Sequence, residues 1–284
     1  MSTTTTIENE MLSGVPVIRV DNAHASAVVS LFGGQVLSFI PKSDDQERLW
    51  VSPHANLDAK KPIRGGVPVC WPWFSDSHGM QKGELPSHGF LRTQTWTLTD
   101  SQQNDDATTL VLTPSFTRAK GFEFACEVTL TIEIGQQLRI SLSTTNSGDT
   151  PFTFTGALHT YFTVPDIHHV ALSGLSDTYL DKNNDFAATP SPSPYVLRGE
   201  TDRIHEQDDA DTTILYNGKP FTRVVHQQSD SVVVWTPWHG AAFISDMDAF
   251  SFNHMVCVET AITKGKTLSP GEVHTLTQII SAGE

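Results

Sequence analysis

The sequence predicts an all-β protein, a large antiparallel β-sandwich. Short apolar runs with period-two alternation, turn-rich breaks between them, and the absence of any long capped amphipathic helix pattern carry that prediction. The first run is SAVVSLF, residues 26–32, closed by the charged break PKSDDQER. TTLVLTP follows the turn segment SQQNDDA, and FEFACEV leads into the clearest alternation in the chain. There Val128, Leu130, Ile132 and Ile134 share one face, while Thr129, Thr131 and Glu133 share the other. Gly135-Gln136-Gln137 makes the turn, and Leu138, Ile140 and Leu142 resume the alternation, so residues 128–146 form a β-hairpin with one buried face. After TNSGDTP comes GALHTYFTV, whose Leu158, Tyr161, Phe162 and Val164 belong in a strand but whose centre holds His159. ATPSPSP is a proline-serine break; SVVVWTP, MVCVETAI and HTLTQII are the last strands.

Residues 1–284 read as a single domain, with a flexible tail over about residues 1–10. No composition shift marks a linker, and a chain this long buries a sizeable core unaided. The 32 acidic residues outnumber 18 basic ones, for a net charge of −14. Such a surface repels nucleic acid and anionic membranes, which excludes both as expected partners. The three cysteines, Cys70, Cys126 and Cys257, include no CxxC pair and suit a reducing compartment. The N-terminal MSTTTTIENE lacks a signal peptide's basic and apolar regions, and no apolar run reaches membrane-spanning length. A cytoplasmic protein, monomeric, is expected.

Five stretches carry chemistry. In KPIRGGVPVCWPWFSD, Arg64 precedes a glycine pair that permits positive φ and close ligand approach to the backbone. Trp71, Trp73 and Phe74 offer either flat apolar walls for a sugar or an aromatic core loop. ELPSHGFLRTQTW adds His88 and Arg92 around another glycine. Two loop arginines in an acidic protein suggest an anion pocket, since the guanidinium fork matches phosphate oxygens in pairs. His159 and Glu259 each stand inside an apolar run, and a buried carboxylate is costly unless paired or used. Together they are the acid and base that proton-shuttling chemistry needs, or else a satisfied core histidine and an edge glutamate. In GETDRIHEQ, Asp202 receives sugar hydroxyls or pairs with Arg203 at the surface. The His168-His169 pair has no acidic or cysteine partner at ligand spacing, so no metal site is expected.

In order along the chain, IRGGVPVCWPWF, LPSHGFLR, ALHTYFTV, TDRI, VVVWTPW and MVCVETA resemble the motifs of hexose-6-phosphate mutarotases. These are glucose-6-phosphate 1-epimerases of the galactose-mutarotase-like (aldose 1-epimerase) superfamily. The resemblance runs from about Val28 to Leu276. It implies a β-sandwich enzyme without metal or organic cofactor, interconverting the α and β anomers of a hexose 6-phosphate. The family's catalytic histidine and glutamate fall on His159 and Glu259. Its phosphate-holding arginines fall on Arg64 and Arg92, and its sugar-contacting aspartate on Asp202. Gln81 and His88 fall where the family lines its pocket. Leu91 replaces a small alanine, and Thr236 replaces an asparagine. An epimerase of neutral sugars, which has no need of Arg64 and Arg92, and a non-catalytic sugar-binding domain remain as alternatives.

Overall fold

The computed structural model describes residues 6–76, 79, 81 and 83–283. Among these residues the strands pair antiparallel into sheets of four, eight and nine. The alternating segment 128–146 is the hairpin expected: Cys126–Ile134 pairs along its length with Leu138–Asn146, and both strands alternate between buried and more exposed positions. It lies near one end of the nine-stranded sheet, beside Val273–Ala282.

The eight-stranded sheet runs in the order Ala187–Pro190, Thr178–Asp181, Thr201–Glu206, Ser231–Thr236, Met255–Leu268, Phe152–Leu158, Val69–Cys70. A further short strand, Tyr161–Thr163, pairs with Met255–Leu268. One apolar cluster joins Val232, Val234, Val256 and Val258 of this sheet to Leu130, Ile132, Leu142, Val224 and Ile280 of the nine-stranded one. Each such side chain taken fully out of water contributes roughly 1.5–3 kcal/mol, which holds the sheets face to face. Along Met255–Leu268 the first eight residues are all buried. Alternation therefore sends Val258 and Thr260 towards the opposite sheet, and Cys257, Glu259 and Ala261 to the other face.

Two expectations need correction. Residues 6–10 of the expected tail belong to the strand Thr6–Leu12, which pairs residue by residue with Val15–Asp21. The threonine-rich lead-in gave no sign of a strand because that strand is largely exposed and its energy lies in the ladder, not in burial. Nor does FEFACEV act as one strand: Phe122 makes only an isolated bridge to Ala119, and the strand begins at Cys126. All three cysteines are free and buried.

Candidate active site

His159 does not sit within a strand. Phe152–Leu158 ends just before it, and Tyr161–Thr163 begins just after Thr160; both pair with Met255–Leu268. The two-residue gap is held by the glycine-bearing stretch 63–70. The Pro68 carbonyl accepts from His159 N–H at 3.0 Å, and the Gly66 carbonyl accepts from Tyr161 N–H at 2.9 Å. Gly65 and Gly66 do adopt positive φ, at +115° and +61°. The backbone that comes close is the protein's own: a Cβ would lie 2.4 Å from the Trp50 carbonyl oxygen at Gly65, and 2.2 Å from that of Val36 at Gly66. The pair is glycine because two strand edges pack there.

The strand registers bring the remaining groups onto one face. Asp202 lies opposite Trp235, Trp235 opposite Cys257, and Cys257 opposite Tyr161; Glu259 is two residues along, beside Val233. Across an antiparallel ladder, partners point to the same side. His159 Nδ1 thus comes within 3.4 Å of Glu259 Oε1. That contact lacks hydrogen-bond geometry, and both His159 Nδ1 and Glu259 Oε2 lack a hydrogen-bond partner. Tyr161 stacks on the His159 ring at 5.0 Å with an 11° interplanar angle, while Phe74, His88 and Trp235 meet its edges.

Cations surround this pair. The Arg64 guanidinium donates to Tyr161 Oη at 3.0 Å and to Asp246 Oδ1 at 3.1 Å. Arg92 donates to the Ser87 carbonyl at 2.7 Å. Lys182 pairs with Asp202 at 2.8 Å. Arg203 is not Asp202's partner; it lies on the other face, stacked 4.4 Å from the Tyr179 ring. Burial, followed by the Arg92 and Arg64 charges, brings His159 down from 6.5 to about 3. Burial, followed by the Asp202 carboxylate, pushes Glu259 well up, with Lys182 and Arg92 opposing. Both shifts favour neutral groups: imidazole and carboxylic acid. Burial also keeps His88 neutral. Its Nδ1 accepts from Ser75 N–H at 3.2 Å, so the backbone assigns the proton to Nε2.

A cavity of about 300 Å³ adjoins these groups, lined by Phe74, Ser75, Thr155, Lys182, Ile204 and Thr263 among others. A larger depression of about 580 Å³ lies elsewhere, around Lys42, Asp44 and Arg223, and holds none of the candidate groups. Gln81 is exposed on the loop between Ser75 and Glu84, where its carbonyl accepts from Glu84 N–H, and the structure does not bring it to the cluster. Trp71 and Trp73 are core side chains, 0% and 1% exposed, while Phe74 meets the rings of His88 and His159. Leu91 is also fully buried. His168 and His169 are exposed around Asp166, an acidic neighbour two and three residues back that the spacing argument passed over.

Sequence reasoning missed the support behind the pair. Thr160 and Thr260, each the next residue after a candidate catalytic group, project into the space between the sheets. There Thr160 Oγ1 donates to Gln278 Oε1, while Gln278 Nε2 donates to Thr260 Oγ1 at 2.8 Å and to the Val258 carbonyl at 3.2 Å. His226 Nδ1 shares a 2.7 Å contact with Thr260 Oγ1. A glutamine inside the apolar run HTLTQII was the available signal, because a buried amide requires partners. Also missed were Tyr161, Lys182 and Asp246. Among the described residues, one potential metal-ligating group stands out: His159, Cys257 and Glu259, with ligand atoms all within 4.8 Å of one another.

This arrangement places two titratable groups in contact, beside an aromatic wall and nearby cations. Comparison with known proteins identifies the family. An Escherichia coli protein provisionally named glucose-6-phosphate 1-epimerase is 33% identical over 262 residues, covering 90% of this chain and 86% of that protein. One from Cenchrus ciliaris, with the same provisional name, is 33% identical over 87% of this chain and 78% of its own length. The crystal structure of a provisionally named mutarotase from Salmonella typhimurium superposes with a TM-score of 0.89 at 28% identity, covering 100% of this chain and 96% of that one. The aldose 1-epimerase family model matches residues 16–281, and the chain belongs to that family.

Proposed function

We propose that this enzyme interconverts the α and β anomers of a hexose 6-phosphate, glucose 6-phosphate foremost, with Glu259 and His159 as its base and acid. The family makes it an anomer-interconverting enzyme acting on a small sugar. The observation that carries the phosphosugar reading is the gathering of Arg64, Arg92 and Lys182 around the pair in a protein of net charge −14. Relatives at 33% identity bear the glucose-6-phosphate 1-epimerase name, which supports it.

Ring opening proceeds as follows. Glu259 carboxylate takes the C1 hydroxyl proton while His159 imidazolium gives one to the ring oxygen. The aldehyde turns about C1–C2, and the same groups run backwards to close the other anomer. In the open-chain intermediate Glu259 is a carboxylic acid and His159 a neutral imidazole. That is the protonation state which burial alone favours here. The pair shares one proton throughout, so the fold stabilises the intermediate without a change in proton count. A phosphate dianion between Arg64 and Arg92 offsets two of the charges that oppose an imidazolium, and so favours the starting state as well. Asp202 and neutral His88 orient sugar hydroxyls. One domain, acting as a cytoplasmic monomer with no nucleic-acid or membrane partner, completes the proposal.

Anomer exchange followed by NMR on glucose 6-phosphate, with Glu259→Gln as control, tests it. The wild type accelerates exchange and the variant loses at least about 100-fold. Retention of full rate by the variant rules the assignment out.

A further inference from the structure

The catalytic proposal leaves Cys257 without a task, although its thiol lies beside both reacting groups. Cys257 and Glu259 are two residues apart on one strand and point the same way, and His159 faces them from the gap between its two strands. The three are 0%, 1% and 8% exposed. His159 Nδ1 meets Glu259 Oε1 there, and neither His159 Nδ1 nor the other oxygen of the same carboxyl group, Oε2, has a hydrogen-bond partner. A buried polar atom without a partner is costly, and an imidazole nitrogen, a carboxylate oxygen and a thiolate sulfur are each zinc donors.

We propose that His159, Cys257 and Glu259 form a binding site for a thiophilic divalent cation of the zinc class, which excludes the sugar while it is bound. The geometry is close to what such an ion needs. Zinc bonds of ~2.0–2.3 Å in a tetrahedron place ligand atoms roughly 3.3–3.6 Å apart. His159 and Glu259 already stand at 3.4 Å, and all three ligand atoms lie within 4.8 Å. Side-chain shifts of about 1 Å close the set. The fourth position stays open to water.

Charge balance favours it too. Binding displaces the thiol proton to solvent, together with the proton shared by His159 and Glu259. One thiolate and one carboxylate then neutralise the +2 ion, so no net charge is left in the buried site. The neutral centre escapes most of the repulsion that Arg64, Arg92 and Lys182 exert on a lone cation. The ion occupies both groups that exchange protons with the sugar, so it and the substrate exclude each other.

The probe is cadmium, followed by zinc, on the full-length protein in chelator-free buffer. Cadmium held by Cys257 gives a sulfur-to-metal charge-transfer band in the ultraviolet, one ion per chain. Cys257→Ser abolishes the band and weakens zinc binding in equilibrium dialysis by at least about tenfold. Cys126→Ser, on a distant strand, keeps both. The absence of the band from wild-type protein overturns the proposal without recourse to any variant, as does equal zinc affinity in Cys257→Ser. Competition with glucose 6-phosphate is the arm that rests on the proposed function. Zinc bound with the band present but anomer exchange undiminished keeps the metal site and overturns the exclusion, and with it the catalytic assignment of His159 and Glu259.

Discussion

Replacing Arg92 with alanine separates a phosphosugar enzyme from a neutral-sugar one. Arg92 commits one Nη2 hydrogen bond to the Ser87 carbonyl, which leaves the rest of its fork for a ligand. A hydrogen bond to a charged group contributes about 1.5–3 kcal/mol. At 1.4 kcal/mol per factor of ten, its loss lowers kcat/KM on glucose 6-phosphate roughly 10- to 150-fold. Phosphate lies away from C1, so most of the loss enters KM. Free glucose makes no such bond. For that sugar the electrostatic effects oppose each other: loss of Arg92 removes the largest ionic cause of His159's depression and favours imidazolium, but it also removes a cation that holds Glu259 down and so disfavours its carboxylate. The glucose rate therefore changes far less than the glucose 6-phosphate rate. Arg64→Ala shares the sign but strands Asp246, which is only 12% exposed at its side chain, so its thermal melt is read alongside. Arg92→Lys recovers part of the loss, because ammonium lacks the planar fork. The assay is polarimetry or NMR exchange on both sugars. Equal losses on both refute the reasoning and make the arginine structural.

Glu259→Gln loses at least about 100-fold in rate yet keeps or raises the melting temperature, because burial already favours a neutral group there; a large drop in melting temperature contradicts this. The double variant with His159→Asn loses little beyond either single one, since the groups act as a unit. In kcat/KM on free glucose, which reports the unliganded enzyme and carries no phosphate of its own to titrate, the acid limb lies well below 6.5, because His159 resists a second proton down to about 3; a half-maximal point near 6.5 shows an ordinary histidine instead. Gln278→Leu strands Thr160 and the Val258 carbonyl and leaves Thr260 its His226 contact, costs about 2 kcal/mol of stability and lowers kcat more than it raises KM; a stability loss with kcat unchanged removes its positioning role. His159 and His226 stand at about 3 and His205 at about 4, against 6.5 unfolded. The unfolded chain therefore binds protons first, and the stability these groups contribute above pH 6.5 is lost as pH falls from 6.5 towards 4, by about 1.4 kcal/mol per unit for each. Urea melts across that window check the slope.

The strands were legible because half-buried ones repeat every two residues, as Val128 to Leu142 do. The exposed strand Thr6–Leu12 carries no such pattern and was read as a tail. His159 and Glu259 stood out as titratable groups in apolar runs, and the structure sets them 3.4 Å apart. Their sequence separation hid that distance, which only the pairing of Met255–Leu268 with both neighbouring strands creates. Trp71 and Trp73 were open to a sugar-wall or a core reading, and composition does not choose between the two; packing buries both. Tyr161, Lys182 and Asp246 escaped notice because each is ordinary locally and becomes informative only beside His159, Asp202 and Arg64. Gln81 stands apart from the cluster because its loop leaves it in solvent.

The most direct measurement is the rate at which fresh α-glucose 6-phosphate reaches anomeric equilibrium with the purified protein, set beside α-glucose and α-galactose. The account predicts saturable acceleration on the phosphosugar, with kcat/KM at least about tenfold above either neutral sugar on the scale of one charged phosphate contact. Equal or faster exchange of glucose or galactose, or no acceleration of any of the three, contradicts it.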